Sequence, residues 1–365
     1  KNLVKTQILN ILTYLSRKTL EKYKPFVIAI TGNIGKTTTK DCIASLLRYK
    51  FGNNVRASAK SENSEWGVNL TILGEQNAWD NVFLWLKVIF KQLYKLYFSN
   101  LYPEILVLEV GADKPGDIEY ITSIIKPDVA VLTAFQEMPT HGEYFKSIQE
   151  HINEKKFLVQ ALKPDGIIVY NEDDKVMKEM AQEKQKENPD IKVIGVGQQA
   201  KAVKIEASQN IYNDDSQILG QKVKFVVGGE PIIADIVGVL GDAHLYSIAL
   251  GIAVAKVFEL ENSSLEQAIS NNLVFSKSRM RILKGKNNSI IIDDTYNSSP
   301  NAALNSINTV SSVLCRGKKI AIFGPMKELG QNTKVAHIQI GQMLAKNFSV
   351  IILVGMYSEY FLEGI

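Results

Sequence analysis

The chain has 365 residues, 45% of them hydrophobic and 22% charged, an ordinary balance for folded domains and enough length for two cores. A net charge of +4, carried by scattered basic residues, excludes the electrostatic footprint of a nucleic-acid binder. Cys42 and Cys315 offer neither a disulfide framework nor a metal-ligand spacing, which fits a reducing, cytoplasmic setting, and no run reaches the roughly 18 apolar residues of a membrane span.

No signal peptide of the usual layout opens the chain, and a first residue Lys1 rather than Met reads as a trimmed start. Residues 1–24 are expected to form a helix, with Leu3, Ile8, Leu12, Leu15 and Leu20 on one side among basic residues, ended by Pro25. Such a helix suits packing on the domain, or a membrane surface. The apolar run Val27–Ile30 then reads as a strand. It breaks at Thr31-Gly32-Asn33-Ile34-Gly35-Lys36-Thr37-Thr38 and resumes with helical spacing from Cys42. Strand, glycine turn, Gly-Lys-Thr and helix make a phosphate-binding loop. The glycines let backbone N–H groups curl around phosphate oxygens, and the helix N-terminus adds free donors and partial positive charge. Lys36 is expected on the β- and γ-phosphates and the Thr37 hydroxyl on Mg²⁺.

Residues 60–69 read as a polar loop leading into a helix at Leu70. The segment 79–97 reads as a helix crowded with aromatics, with Lys87, Lys91 and Lys95 on one face. It suits packing on a sheet or a membrane interface. Ile105–Glu109 is a buried-type strand ending on a carboxylate. An acid at the end of a parallel strand sits where open α/β sheets bind ligands, so Glu109 is a candidate Mg²⁺ ligand. Further strands are expected at 129–133, before His141, and at 166–170, with a helix around 151–158 between them. Residues 176–230 alternate helix and strand without legible chemistry, and an Ala-rich helix follows Gly241. Ser278-Arg279-Met280-Arg281 marks a domain boundary. Beyond it, Ile290–Asp294 and Ile320–Phe323 read as strands, the first ending in two acids and a Tyr-Asn turn.

The ordered set Thr31-Gly32-x-x-Gly35-Lys36-Thr37-Thr38, Pro115-Gly116-Asp117-Ile118, Asp293-Asp294-x-Tyr296-Asn297 and Met326-x-Glu328-Leu329-Gly330 resembles the Mur ligase family, the amide-bond-forming enzymes of peptidoglycan synthesis. Over residues 25–365 the likeness is to the type that adds D-alanyl-D-alanine. The resemblance implies ATP and Mg²⁺ as cofactors, with Thr31, Gly32, Asn33, Gly35, Lys36, Thr37, Thr38, His244, Arg279 and Asp294 around the nucleotide. It implies Thr37, Glu109, His141 and Lys155 around the metals, the lysine as a carbamate, although a solvated Glu-Lys-Lys face is the other reading of 154–156. Asn63, Glu65, Tyr296 and Asn297 fall where the family meets its substrates, and Lys36, Lys155, Arg279 and His141 are the catalytic candidates. The chain departs from the pattern in places. His141 lies two residues late, Ser278 replaces a glycine, Pro325 replaces an aspartate, and a single helix stands where the family holds its UDP-sugar domain.

The expected fold is α/β: a central P-loop ATPase-like domain at 25–275 with a mostly parallel sheet, then a Rossmann-like ligase domain at 276–365 that reads as incomplete, the N-terminal helix occupying 1–24. The expected activity is ATP-dependent addition of D-alanyl-D-alanine to a UDP-MurNAc-tripeptide through an acyl phosphate. Two alternatives stand beside it: a ligase acting on another, lipid-linked carboxylate, with 1–24 and 79–97 as peripheral membrane contacts, and a non-catalytic ATP-binding module.

Overall fold

The computed structural model of the protein describes residues 2–58, 62–79, 81–135 and 145–365, with side chains from residue 4 onward. In chain order the elements begin with helix α1 (Asn2–Tyr23), strand β1 (Phe26–Thr31), α2 (Lys36–Phe51), β2 (Val55–Ala57), α3 (Glu65–Leu73) and α4 (Val82–Phe98). Next come β3 (Ile105–Glu109), α5 (Asp117–Thr122), β4 (Val129–Leu132), α6 (Ile148–Gln160), β5 (Ile167–Asn171), α7 (Lys175–Glu187) and β6 (Lys192–Gly197). Three longer strands follow, β7 (Val203–Tyr212), β8 (Ile218–Val227) and β9 (Glu230–Val237), and then α8 (Asp242–Val257) and α9 (Asn262–Asn272). The last part holds β10 (Arg281–Lys284), β11 (Ile290–Asp293), α10 (Pro300–Ser312), β12 (Ile320–Phe323), α11 (Thr333–Asn347), β13 (Val350–Leu353) and α12 (Ser358–Gly364).

Nine strands form one sheet in the order β2-β3-β1-β4-β5-β6-β7-β8-β9, parallel from β2 to β7 and antiparallel from β7 to β9. The parallel strands are continuous apolar runs because helices cover both faces. Alternation along β1 shows the two sides. Ile28 and Ile30 enter the core shared with α2, α8 and α9, while Val27 and Ala29 enter the core shared with α5, α6 and α7. A further layer lies outside α3, where Leu12 and Leu15 of α1 and Trp85 and Val88 of α4 close over Leu70 and Leu73.

Two stretches depart from the sequence reading. The helix expected at Leu70 begins at Glu65, because the Ser64 hydroxyl caps it by accepting from Gly67 N at 3.3 Å. Past Lys192 the expected alternation gives way to strand alone, and β9 alternates exposed and buried residues along its length. That pattern belongs to an antiparallel strand with one face on the core. Residues beyond 280 build their own core around Ile307, Met326, Ile340, Leu344 and Phe361, with β10–β11 and β12–β13 as separate two-stranded sheets. Among the described residues, no helix is long and apolar enough to cross a membrane.

Candidate active site

β1 is flanked by β3 and β4, and the connections from β1 to β2 and from β3 to β4 run in opposite directions across the sheet, the switch point at which open α/β sheets form a crevice. The loop that leaves β1 is strapped to the end of β4. Asn33 N donates to Ala134 O at 2.7 Å, and the Thr133 hydroxyl lies 2.6 Å from Ile34 O. Gly32 is obligatory there, since a Cβ would stand 2.0 Å from Thr133 Oγ1. Gly35, at φ 81°, turns the chain into α2 in the left-handed region that glycine tolerates. The first intrahelical bond of α2 runs from Thr39 N to Gly35 O at 2.8 Å, so the amides of residues 36–38 lie before the ladder begins. Free amides at a helix N-terminus are what an anion seeks.

The loop borders a cleft of about 310 Å³, lined among others by Lys36, Asn63, Glu109, Lys155, Arg279 and Tyr296. Lys36 Nζ folds back onto its own loop, 3.0 Å from Gly32 O and 3.4 Å from Asn33 O. Burial pushes its pKa down, Glu109 pulls it up, and Arg279 pushes it down again. Thr37 Oγ1 donates to Glu109 Oε1 at 3.2 Å and accepts from Arg279 Nη2 at 3.1 Å. Asn63 Nδ2 also approaches Glu109 Oε1, at 3.4 Å. Arg279 arrives from the far side of the cleft, its guanidinium 4.1 Å above the Tyr296 ring, and its buried Nε has no hydrogen-bond partner. Four cationic or polar groups, Lys36, Thr37, Asn63 and Arg279, and one carboxylate, Glu109, thus line one cleft beside the helix N-terminus.

α6 contributes the floor. Lys155 is fully buried, its Nζ 3.2 Å from His151 Nε2, and burial first and the Lys36 charge second hold its pKa well below the ordinary lysine range. Such a site favours the uncharged amine over the ammonium. Lys156, one residue on, points outward and pairs with Glu183 at 2.6 Å. Glu154 anchors the helix to the Pro-Gly-Asp-Ile turn by accepting from Gly116 N at 2.9 Å and Ile118 N at 2.6 Å. His151 also lines the cleft, stacked on Phe145 at 4.4 Å, and was missed in the sequence. The signal was available: His151 and Lys155 stand four residues apart, on one helix face.

Other candidates lie elsewhere. Thr31 and Thr38 are buried and do not line the cleft. The His244 ring is buried edge-on to Phe275 with Nε2 3.1 Å from Arg279 O, and burial lowers its pKa to about 4. It therefore stands behind the arginine rather than in the cleft. Asp294 accepts from Met280 N at 3.1 Å and from the Ser306 hydroxyl, which ties the backbone just after Arg279 to α10. Glu65 borders a neighbouring depression of about 400 Å³ with Asp113 and Glu328, while Asn297 reaches the cleft itself. His141 lies outside the described residues.

Among the described residues no three His, Cys, Asp or Glu side chains converge as a metal cage. The Thr37 hydroxyl and the Glu109 carboxylate are hard oxygens on one edge of the cleft, beside the helix amides. Mg²⁺ bound by one or two protein oxygens, with phosphates and water completing its shell, needs no more than this.

Residues 91–255 match the Mur ligase middle domain, and residues 278–361 match the Mur ligase glutamate ligase domain. The chain belongs to the Mur ligase family. Among its relatives is the UDP-N-acetylmuramoyl-tripeptide–D-alanyl-D-alanine ligase of Bacillus subtilis, 25% identical over 357 residues that span 98% of this chain and 68% of that one. The ligase of the same name from Buchnera aphidicola of Baizongia pistaciae is 27% identical over 337 residues, 91% of this chain and 64% of that one. The crystal structure of MurF from Acinetobacter baumannii shares the fold with a TM-score of 0.75 at 20% identity, over 97% of this chain and 69% of that chain. MurF ligase from Thermotoga maritima in complex with ADP gives 0.73 at 24% identity, over 97% and 72%. This Mur ligase chain thus spans about two thirds of the length of such relatives.

Proposed function

We propose that the protein is an ATP-dependent, ADP-forming amide ligase that joins D-alanyl-D-alanine to a UDP-MurNAc-tripeptide, working in the cytoplasm. The observation that carries this reading is the convergence of Lys36, Thr37, Glu109 and Arg279 at the N-terminus of α2. The names of the relatives supply the substrates.

In the proposed reaction a substrate carboxylate oxygen attacks the γ-phosphorus of ATP. The bond from that phosphorus to the β–γ bridging oxygen breaks, and ADP leaves. The dipeptide amine then attacks the carbonyl carbon of the acyl phosphate; the C–O bond to phosphate breaks, inorganic phosphate departs and the amine loses a proton. Little covalent work falls to the protein, whose task is alignment and neutralisation of charge. The amides of residues 36–38 and the Lys36 ammonium bind the phosphates, for which Lys36 must leave the carbonyls of Gly32 and Asn33. Arg279, held over Tyr296, faces the transferred phosphoryl group. Thr37 and Glu109 would hold Mg²⁺, which when bound would neutralise phosphate charge.

Lys155 fits a carbamate. In its unprotonated form, which burial favours, the amine can attack CO₂; an N–C bond forms and one proton is lost, which turns a buried amine into an anionic oxygen ligand. Asn63 and Asn297 border the same cleft and are proposed to meet the peptide substrates, with Glu65 beside them.

An assay of ADP release across UDP-muropeptides and amines tests the proposal. Release that requires both the tripeptide and D-alanyl-D-alanine is the expected result. Release indifferent to the amine, or ATP binding with no turnover on any pair, contradicts it.

A further inference from the structure

The outward face of α4 is apolar along its whole length. With about 100° between successive residues, Phe83, Leu86, Phe90, Tyr94 and Tyr97 fall within an arc of about 80°. Directly opposite are Trp85 and Val88, which are buried against α1 and α3, and Gln92, which is buried and donates to Glu75. The outer stripe is open: Phe83 is 84% exposed, Phe90 68% and Tyr97 73%. Trp79 before the helix, 77% exposed, and Leu101 after it, 89% exposed, extend the band at both ends. Exposed apolar patches of this size on a folded domain mark interaction surfaces.

The charge around the stripe selects the partner. α1 carries four basic side chains and one acidic, and α4 carries three basic and none acidic, so the two helices hold +6 between them. The whole chain holds only +4, so everything outside them is net negative. Lys87 flanks the stripe, Lys91 and Lys95 share Glu75 one step further round, and Lys22 closes the C-terminal end by donating to Leu96 O and Ser99 O. A second copy of the chain would set Lys87 against Lys87, with no carboxylate on either α4 to answer them. The stripe is a convex ridge rather than a groove, so it offers a peptide no walls. A planar, anionic, apolar-cored partner answers every feature.

We propose that α4 docks the protein on the surface of an anionic lipid bilayer, lying in the interface plane with Phe83, Phe90, Tyr97 and Trp79 entering the acyl boundary and Lys87 reaching headgroup phosphates. The helix runs roughly 25 Å, lies on the surface and does not span. Tyr and Trp suit the boundary because each has an apolar ring and a polar edge. The proposal is independent of the reaction assigned to the cleft, since α4 contributes no residue to it.

The test is sedimentation of the full chain with vesicles of phosphatidylglycerol and phosphatidylcholine in equal parts, against phosphatidylcholine alone. The protein is expected to pellet with the anionic vesicles and to shift the Trp79 emission to the blue, a shift lost in Trp79→Phe. Phe90→Ser with Tyr97→Ser is expected to weaken binding at least about tenfold, and Lys87→Gln about fivefold, as about 1 kcal/mol per basic residue near such a surface implies. Circular dichroism and ATP turnover should stay as in the wild type, because these side chains are outward and far from the cleft. Failure to pellet, or equal binding by the Phe90/Tyr97 variant, overturns the proposal. So does a lipid-free dimer that Phe90→Ser dissolves, which would give the stripe to a second copy.

Discussion

The two halves of the main sheet differ in what they can do. From β2 to β6 the strands are parallel, so their C-terminal ends share one edge, and that edge meets Lys36, Thr37 and Glu109. From β7 to β9 the strands are antiparallel and joined by short turns, so each edge collects alternating strand ends, and none of their residues lines the cleft. One sheet thus carries a reactive edge and a structural extension. The difference follows from connection chemistry: a parallel pair needs a crossover helix, and the N-terminus of such a helix brings the amides that bind phosphate. The antiparallel half instead buries Val223, Phe225, Ile232 and Ala234 beneath α8 and α9.

The comparison can be broken by exchanging effects between the halves. On the reactive edge, Lys36→Ala is expected to lower turnover about 10³-fold, the scale of losing one preorganised charge partner of a transition state. Its unfolding midpoint should stay unchanged, because Lys36 Nζ bonds only its own loop. In the extension, Ile232→Ala, fully buried in β9, is expected to cost about 3 kcal/mol of stability by cavity formation while kcat is preserved. Denaturant titration and steady-state kinetics on both variants check the pair; a stable but inactive Ile232→Ala would dissolve the distinction.

A finer cut lies within α6. Lys155→Ala is expected to cost about 100-fold in turnover and little in nucleotide affinity, with partial rescue by a small carboxylic acid in the medium. Lys156→Ala, whose side chain meets Glu183 at the surface, should be nearly silent. Full activity of Lys155→Ala in carbonate-free buffer would return the metal site to other residues.

The smallest effect concerns the support behind Arg279. His244 has its pKa lowered by burial to about 4, against an ordinary 6.5. The unfolded chain therefore takes up a proton that the folded chain refuses, so the contribution is present above pH 6.5 and is lost as pH falls toward 4. Between pH 6.5 and 5 the loss is about 1.5 kcal/mol. His244→Gln should flatten that slope in melts taken across the range; an unchanged slope would assign it to other groups.

Much of this was legible in the chain. Continuous β-branched runs ending at Thr31 and Glu109 announced parallel strands, and Gly32-x-x-Gly35-Lys36-Thr37 announced a glycine turn into a helix N-terminus. Of the two readings the sequence left open for 154–156, the packing of α6 selects one, with Lys155 inward and Lys156 at the surface. Three things were not legible. The start of α3 at Glu65 hung on one serine cap in a polar stretch. The extension β7–β9 was hidden by short alternating patterns that resemble loops as much as strands. The seclusion of His244 and Asp294 behind Arg279 depends on long-range packing between α8, Phe275 and α10, to which no local pattern points.

The central claim is that the parallel edge activates a carboxylate by phosphoryl transfer. Its most direct measurement is isotope transfer: the tripeptide is labelled with ¹⁸O in its reacting carboxylate, turned over with ATP and D-alanyl-D-alanine, and the released phosphate is weighed by mass spectrometry. The account expects one labelled oxygen in each phosphate, which only an acyl phosphate can deliver. Phosphate that carries oxygen from water and none from the carboxylate would contradict it.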